Sequence, residues 1–246
     1  MFDRFRHRSY ELEHLDKGDY TPEEYEGCIV ELQRVNEWLG DASALRDSVL
    51  KDIERAELRS FSILDVGAGS GELLRVAAKW ARETKRIASL VGLEMNARSA
   101  REIVEGSSEF PGICGVRGDA FGLPFSNGEF DYVMCSLFTH HFRDQPVVDL
   151  LREMARVARR RIFVIDLHRD PVAYYFYTTV GRLFLHNRLI REDGALSILR
   201  SFKPDELENL GHQAGLEDVA VEKHFPSRLV LSAKASGNVW NRPSPV

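Results

Sequence analysis

The sequence predicts an α/β protein built around a seven-stranded, mostly parallel sheet with an antiparallel last strand and helices on both faces. Three observations predict it. From Phe61 onward, short apolar runs alternate with amphipathic helical stretches; the first run leads directly into a glycine-rich loop; and the last two runs are joined by only four residues. Alternation of this kind builds βα units and hence a parallel sheet covered by helices. A four-residue link is too short for a parallel crossover, so the final pair is a hairpin.

Taken in order, Thr21-Pro22-Glu23-Glu24 carries a helix start: Thr21 caps, Pro22 suits the first helical position and Glu24 completes a capping box. Gly40 ends that helix. A second helix over 42–58 places Leu45, Val49, Ile53 and Ala56 at three- and four-residue spacing, which gives it one apolar face. Residues 1–59 are therefore expected to form an N-terminal helical layer. Strands are expected at 61–66, 87–93, 113–117, 130–136 and 161–167, with helices at 73–81, 97–104 and 147–157 between them. A helical insertion spans 170–201. A helix near 204–214 follows, then the hairpin strands 217–223 and 228–233, linked by His224-Phe225-Pro226-Ser227. The sheet domain thus runs from 60 to 235, and 236–246 reads as a frayed tail.

The 246 residues, 43% of them hydrophobic, suffice for one principal core. A net charge of -5 gives no basic field for nucleic acid, so a small-molecule partner is expected and no nucleic acid. Cys28, Cys114 and Cys135 are scattered, and the start of the chain lacks an apolar leader, so a reduced, cytoplasmic setting is expected. The greasiest stretch, 172–185, holds Thr178, Thr179 and Arg182 and falls short of the about 20 residues that a bilayer span needs. Composition leaves the oligomeric state open.

Gly67-Ala68-Gly69-Ser70-Gly71 lies between a strand and a helix, where glycines allow tight backbone geometry and close approach of a ligand. A dinucleotide fingerprint would put its third glycine where Glu72 stands. That carboxylate, and Asp65 ahead of the loop, suit a cofactor with a cationic end better than one with a pyrophosphate.

Asp65-Val66-Gly67-Ala68-Gly69-Ser70-Gly71 resembles the first motif of the class I S-adenosylmethionine methyltransferases, which have a Rossmann-like fold. The later motifs follow in order. Glu94 matches the acidic residue that accepts both ribose hydroxyls, and Met95 would pack on adenine. Gly118-Asp119-Ala120 resembles the segment that meets the adenine amino group, while Leu123-Pro124-Phe125 and Phe130-Asp131-Tyr132-Val133 resemble the motif around the fourth strand. The resemblance implies S-adenosylmethionine as cofactor, bound by Asp65, Gly67, Ala68, Gly69, Gly71, Glu94, Met95, Asp119, Ala120 and Ser136. It covers 61–167.

For the chemistry, Ser136-Leu137-Phe138-Thr139-His140-His141-Phe142 follows the fourth strand, and histidine is the obvious proton acceptor. His141 fits the family's stretch best; His140 and His168 are the other catalytic candidates, and Asp166 could orient either histidine. Two adjacent histidines do not read as a metal site without a third ligand, so no metal is expected, the alternative being a divalent ion for which Asp166 or His168 supplies that ligand. The insertion is rich in aromatics, and Tyr174, Tyr175 and Tyr177 are candidate substrate contacts if it forms a lid, as such insertions do in the family; packing on the N-terminal layer is the alternative. Tyr20, Tyr25 and Trp38 could close the other side. The expected activity is methylation of a hydrophobic phenol, quinone precursor or polyketide-like acceptor on oxygen or carbon. The competing readings are an NAD-linked oxidoreductase and a methyltransferase-like module that binds cofactor without turnover. Arg156, Arg159, Arg160 and Arg161 are expected to end a helix as a solvated cationic face.

Overall fold

A computed structural model describes residues 3–21, 23–24, 27–28 and 40–235. The expected helix after Thr21 therefore lies mostly outside the described residues, as do Tyr25, Trp38 and the tail. Its start is visible: the Thr21 and Glu24 side chains accept hydrogen bonds from each other's backbone N–H at 3.2 and 2.9 Å, the reciprocal capping pair expected from sequence.

The seven strands are β1 (Ser60–Val66), β2 (Ile87–Glu94), β3 (Ile113–Arg117), β4 (Phe130–Ser136), β5 (Ala158–Leu167), β6 (Glu217–His224) and β7 (Arg228–Lys234). They are ordered β3-β2-β1-β4-β5-β7-β6. Strands β1 to β5 are mutually parallel, and β7 runs antiparallel between β5 and β6. The order reverses between β1 and β4, and ligands of open α/β sheets bind at the carboxyl ends of strands at such a point.

The strands sort their side chains by alternation. Ile63, Leu90, Tyr132, Met134 and Ile165 face one side with α2 (Asp41–Leu45), the π-helical turn Arg46–Leu50, α3 (Lys51–Arg55), α4 (Glu72–Glu83) and α5 (Ala97–Glu105). Leu64, Val66, Val133, Cys135, Val164 and Leu231 face the other, against α6 (Asp144–Val157) and α9 (Pro204–Gln213). The expected 42–58 helix is thus the continuous run α2 to α3, and its Leu45, Val49 and Ile53 are buried in the sheet's own core. Between β5 and α9 the insertion forms α7 (Pro171–Thr179), a short 3-10 turn (Gly181–Leu183) and α8 (Arg188–Arg200). The short α1 (His14–Lys17) is held to α8 by the His14 and Leu15 N–H groups, both donating to Asp193.

The arginine run departs from expectation. Helix α6 ends at Val157, and Arg159 to Arg161 already belong to β5, pairing with Asp131 and Asp218 across the sheet. Arg156 turns inward to Glu153 and to the Leu123 and Phe125 carbonyls. Arg159 and Arg160 are solvent-exposed while paired, so the run is part strand and part helix end rather than one helix-terminal patch.

One buried ion pair ties the N-terminal layer to the hairpin. Arg228 donates from Nε and Nη2 to Asp41 at 2.5 and 3.1 Å, with both side chains buried. Removing one partner leaves an uncompensated charge, so Asp41→Ala is expected to cost about 3–5 kcal/mol in urea unfolding. A loss below about 1 kcal/mol would show that water reaches the pair.

Candidate active site

Strand β1 ends in the glycine loop, where Gly67, Gly69 and Gly71 all have positive φ, at 72°, 54° and 79°. The neighbours then distinguish them: a Cβ on Gly67 would meet Phe138 at 2.8 Å, whereas one on Gly69 would meet nothing within 4 Å. Gly69 therefore faces open space, as a ligand-facing glycine must. The Gly67 and Ala68 N–H groups donate to the Leu93 carbonyl, which fastens the loop to the end of β2. Glu94, next along β2, accepts from Gly69 N–H and Asn96 N–H, both at 3.2 Å.

Asp65 sits beneath this loop, 3% exposed, and its Oδ1 has no hydrogen-bond partner among the described residues. Burial, and secondarily the nearby Glu94 charge, raises its carboxyl from the ordinary 3.8 to about 8. A buried carboxylate left unsatisfied in this way marks a place where a cationic or donor group is missing. Ser136 at the end of β4 has a second unpartnered buried oxygen. Asp119 is exposed, with Oδ1 accepting from Phe121 N–H, Ala120 is buried beside it, and Met95 is exposed. The carboxyl ends of β1 to β4 thus gather the loop, Asp65, Glu94, Asp119 and Ser136.

After β4 the chain makes a sharp turn through Leu137, at φ 49°, into the 3-10 turn Thr139–His141. Asp166 at the end of β5 anchors that turn. It is fully buried, and it accepts from the Thr139 hydroxyl, from His140 N–H at 3.0 Å and from its own neighbour Leu167 N–H at 2.8 Å. His140 Nδ1 lies 2.6 Å from Asp166 Oδ1. Burial alone would raise the Asp166 carboxyl, but attraction to His140 and these hydrogen bonds prevail and hold it well below the usual carboxylate range. An ionised Asp166 only accepts, so Nδ1 carries a proton, and in the neutral imidazole Nε2 is then the acceptor atom. His141 stacks loosely on His140, ring centroids 4.3 Å apart. Beside them is a cavity of about 280 Å³ lined by Tyr10, Leu12, His140, His141, Phe142, Arg143 and Arg200.

Residues 63–161 match a family model described as a methyltransferase domain. The chain is 32% identical over 142 residues to YcgJ, an uncharacterized methyltransferase of Bacillus subtilis (strain 168), covering 53% of this chain and 51% of that one. It is 28% identical over 197 residues to the phthiotriol/phenolphthiotriol dimycocerosates methyltransferase 1 of Mycobacterium ulcerans (strain Agy99), covering 76% and 64%. It thus spans between half and two thirds of the length of these curated relatives. Among solved structures, a SAM-dependent methyltransferase from Aquifex aeolicus shares the fold with TM-score 0.56 at 16% identity, over 81% of this chain and 96% of that one.

The histidine turn receives several residues that sequence did not single out. Glu13, 4% exposed, has Oε1 4.0 Å from His140 Nε2 and accepts from the Ser197 hydroxyl. Arg200 donates to the His140 and His141 carbonyls at 3.3 and 2.8 Å. Arg8 donates to the Arg200, Phe142 and His140 carbonyls and to Asp144, with its guanidinium 3.8 Å from the centre of the Phe202 ring. No local pattern marks these, because their partners lie 59 to 192 residues away.

The other candidates are placed differently. His168 is half-buried, its N–H donates to the Ser227 carbonyl, and it bridges to Phe202; burial lowers its imidazole below the ordinary value. Tyr174 and Tyr175 meet Phe5 edge-on, Arg4 donates to the Tyr174 hydroxyl, and the Tyr177 hydroxyl donates to the Ile190 carbonyl. Two of the three tyrosines therefore fasten the insertion to the N-terminal segment. Among the described residues no helix is long and apolar enough to cross a membrane.

The folded Asp166 carboxyl is lowered, so its contribution to stability is present above the ordinary carboxylate range and is lost as pH falls through and below it. Asp166→Asn is accordingly expected to lower the melting temperature at pH 7 and to flatten its decline between pH 5 and pH 2. Parallel melting curves of wild type and variant across that range would refute the pairing.

Proposed function

We propose that this protein transfers a methyl group from S-adenosylmethionine to an oxygen or acidic carbon of a hydrophobic small molecule. The observation that carries the reading is the buried, unpartnered Asp65 oxygen under an open glycine loop, with Glu94 alongside. Such a pocket selects a ligand with a cationic amino-acid end and rejects a pyrophosphate, which speaks against an NAD-linked oxidoreductase. The residues present fit the cofactor. Asp65, Gly67, Ala68, Gly69 and Gly71 would hold its amino-acid end, Glu94 its ribose, Met95, Asp119 and Ala120 its adenine, and Ser136 the far side of the pocket. When bound, S-adenosylmethionine supplies the electrophilic methyl group.

The remaining steps belong to the chain's own side chains. Asp166 fixes the His140 tautomer, and Nε2 accepts the proton of the acceptor's hydroxyl or acidic C–H. His141 lines the same cavity and orients the acceptor, while His168, kept neutral by burial, is the alternative proton acceptor. The exposed faces of Tyr174 and Tyr175, with Tyr177 behind them, bound the apolar end of the acceptor path. A phenolic or lipid-like acceptor is favoured by Tyr10, Leu12 and Phe142 in the cavity lining and by the phenolphthiotriol named for the mycobacterial relative. We place the activity in the cytoplasm, without nucleic acid as substrate, on the scattered cysteines and the negative net charge.

Calorimetry with S-adenosylmethionine, S-adenosylhomocysteine and NAD tests the reading. Both sulfur ligands should bind and NAD should not; binding of NAD alone would overturn it. If the ligands bind but no phenol, quinone or amine is methylated, the protein is a binding module.

Asp65 adds a sharper expectation. In the ligand-free fold its carboxyl holds a proton up to about pH 8, so its contribution to stability is fully present below about pH 4 and is lost as pH rises through 8. A cationic partner lowers that value, so ligand binding at pH 7 should release a proton, seen as a dependence of binding heat on buffer ionisation. Asp65→Asn should abolish the release, weaken binding and make the free protein more stable at pH 8. His140→Ala should spare cofactor affinity and lower turnover by about 10²–10⁴-fold.

A further inference from the structure

Paired histidines lack a third metal ligand in sequence, and the fold provides one from 127 positions upstream. Glu13 Oε1, a nitrogen of His140 and a nitrogen of His141 all lie within 4.8 Å of one another. We propose that Glu13, His140 and His141 form a binding site for a borderline divalent cation of the zinc class, at the wall of the acceptor cavity.

Four features of the arrangement support this. The donor set, two imidazoles and one carboxylate, is the one that zinc and its neighbours take, with positions left for exogenous ligands. His140 is preset for it: Asp166 on Nδ1 favours the neutral tautomer whose Nε2 lone pair lies towards Glu13, as carboxylates bonded to the far nitrogen of metal-binding histidines do. Two of the three ligands are buried, at 4% exposure each, and the third is half-buried, so the ion would reach solvent only on the cavity side. Glu13 is itself held, by the Ser197 hydroxyl at 2.8 Å.

Charge also favours one ion. Glu13 and Asp166 bring two negative charges, and Arg200, whose Nη1 is 3.7 Å from Glu13 Oε1, brings one positive charge. The guanidinium moderates affinity without supplying a competing ligand, and its other nitrogens are committed to the His140 and His141 carbonyls. Ligand atoms up to 4.8 Å apart need to close by about 1 Å to reach bonds of about 2.1 Å, a shift that His141, on a short turn, can make by side-chain rotation. The open side of the ion faces the cavity of about 280 Å³, so an acceptor oxygen can complete its coordination. An ion on His140 Nε2 uses the lone pair that proton acceptance needs, so the two states exclude one another.

Equilibrium dialysis of the full chain against Zn²⁺ or Co²⁺, with no cofactor or acceptor present, tests the site independently of methyl transfer. Wild type should retain one ion per chain, and Co²⁺ should give the visible spectrum of a low-coordinate nitrogen and oxygen shell. His141→Ala and Glu13→Gln should each weaken binding at least about tenfold, and Asp166→Asn should do so by about 10- to 100-fold. His212→Ala, on an exposed position of α9, should bind as wild type does. Melting curves establish that each variant is folded. Failure of wild type to retain an ion would overturn the proposal, and so would one ion kept at unchanged affinity by both folded His141→Ala and Glu13→Gln. Loss of methyl transfer with binding intact would instead overturn the functional reading and leave this site standing.

Discussion

The candidate catalytic site depends on one buried carboxylate. Asp166 has no exposure, sits at the end of a central strand and stays ionised because Thr139, His140 and Leu167 all turn donors towards it. A buried charge with fewer partners would neutralise itself by taking up a proton. Here most of the partners are supplied by a turn that Arg8 and Arg200 also hold through its carbonyls, and the carboxylate organises the turn while the turn keeps the carboxylate charged. Everything assigned to the histidines, from tautomer to orientation, follows from that mutual arrangement.

Asp65, two strands over, obeys the opposite rule. It is as deeply placed, yet its Oδ1 has no donor, and burial raises its proton affinity rather than lowering it. Two aspartates at the carboxyl ends of the parallel strands that flank β4 thus serve different ends: one is satisfied from within the chain and fixes geometry, the other is left to be satisfied from outside. The switch point between β1 and β4 makes this division possible, because there the loops diverge and leave space on one side.

The sheet was legible because its strands are continuous apolar runs and its helices are amphipathic, two periods that do not resemble one another. The glycine loop and Glu94 were legible because their function is tied to local spacing. What escaped was decided by orientation or by distance along the chain. Sequence favoured His141 as the better motif match, but His140 makes the contact with Asp166, since the rotation of a 3-10 turn selects which of two neighbours points inward. The arginine run pairs across the sheet because β5 begins earlier than its apolar residues suggest. Glu13 and Arg8 carry no local signal at all; a charged residue among charged residues reads as surface until its partner is known.

The same long-range contacts bear on how the molecule is made. Arg8 and Glu13 meet Arg200 and Ser197, bonds that close spans of 192 and 184 residues. During synthesis the sheet strands β1 to β5 are available before α8 leaves the ribosome, and although Arg8 can already reach the histidine turn and Asp144, Glu13 gains Ser197 and Arg200 only then. The histidine turn is therefore assembled first and covered last, and a nascent or partly unfolded chain would carry its reactive imidazoles without the acidic lid that encloses them in the finished fold.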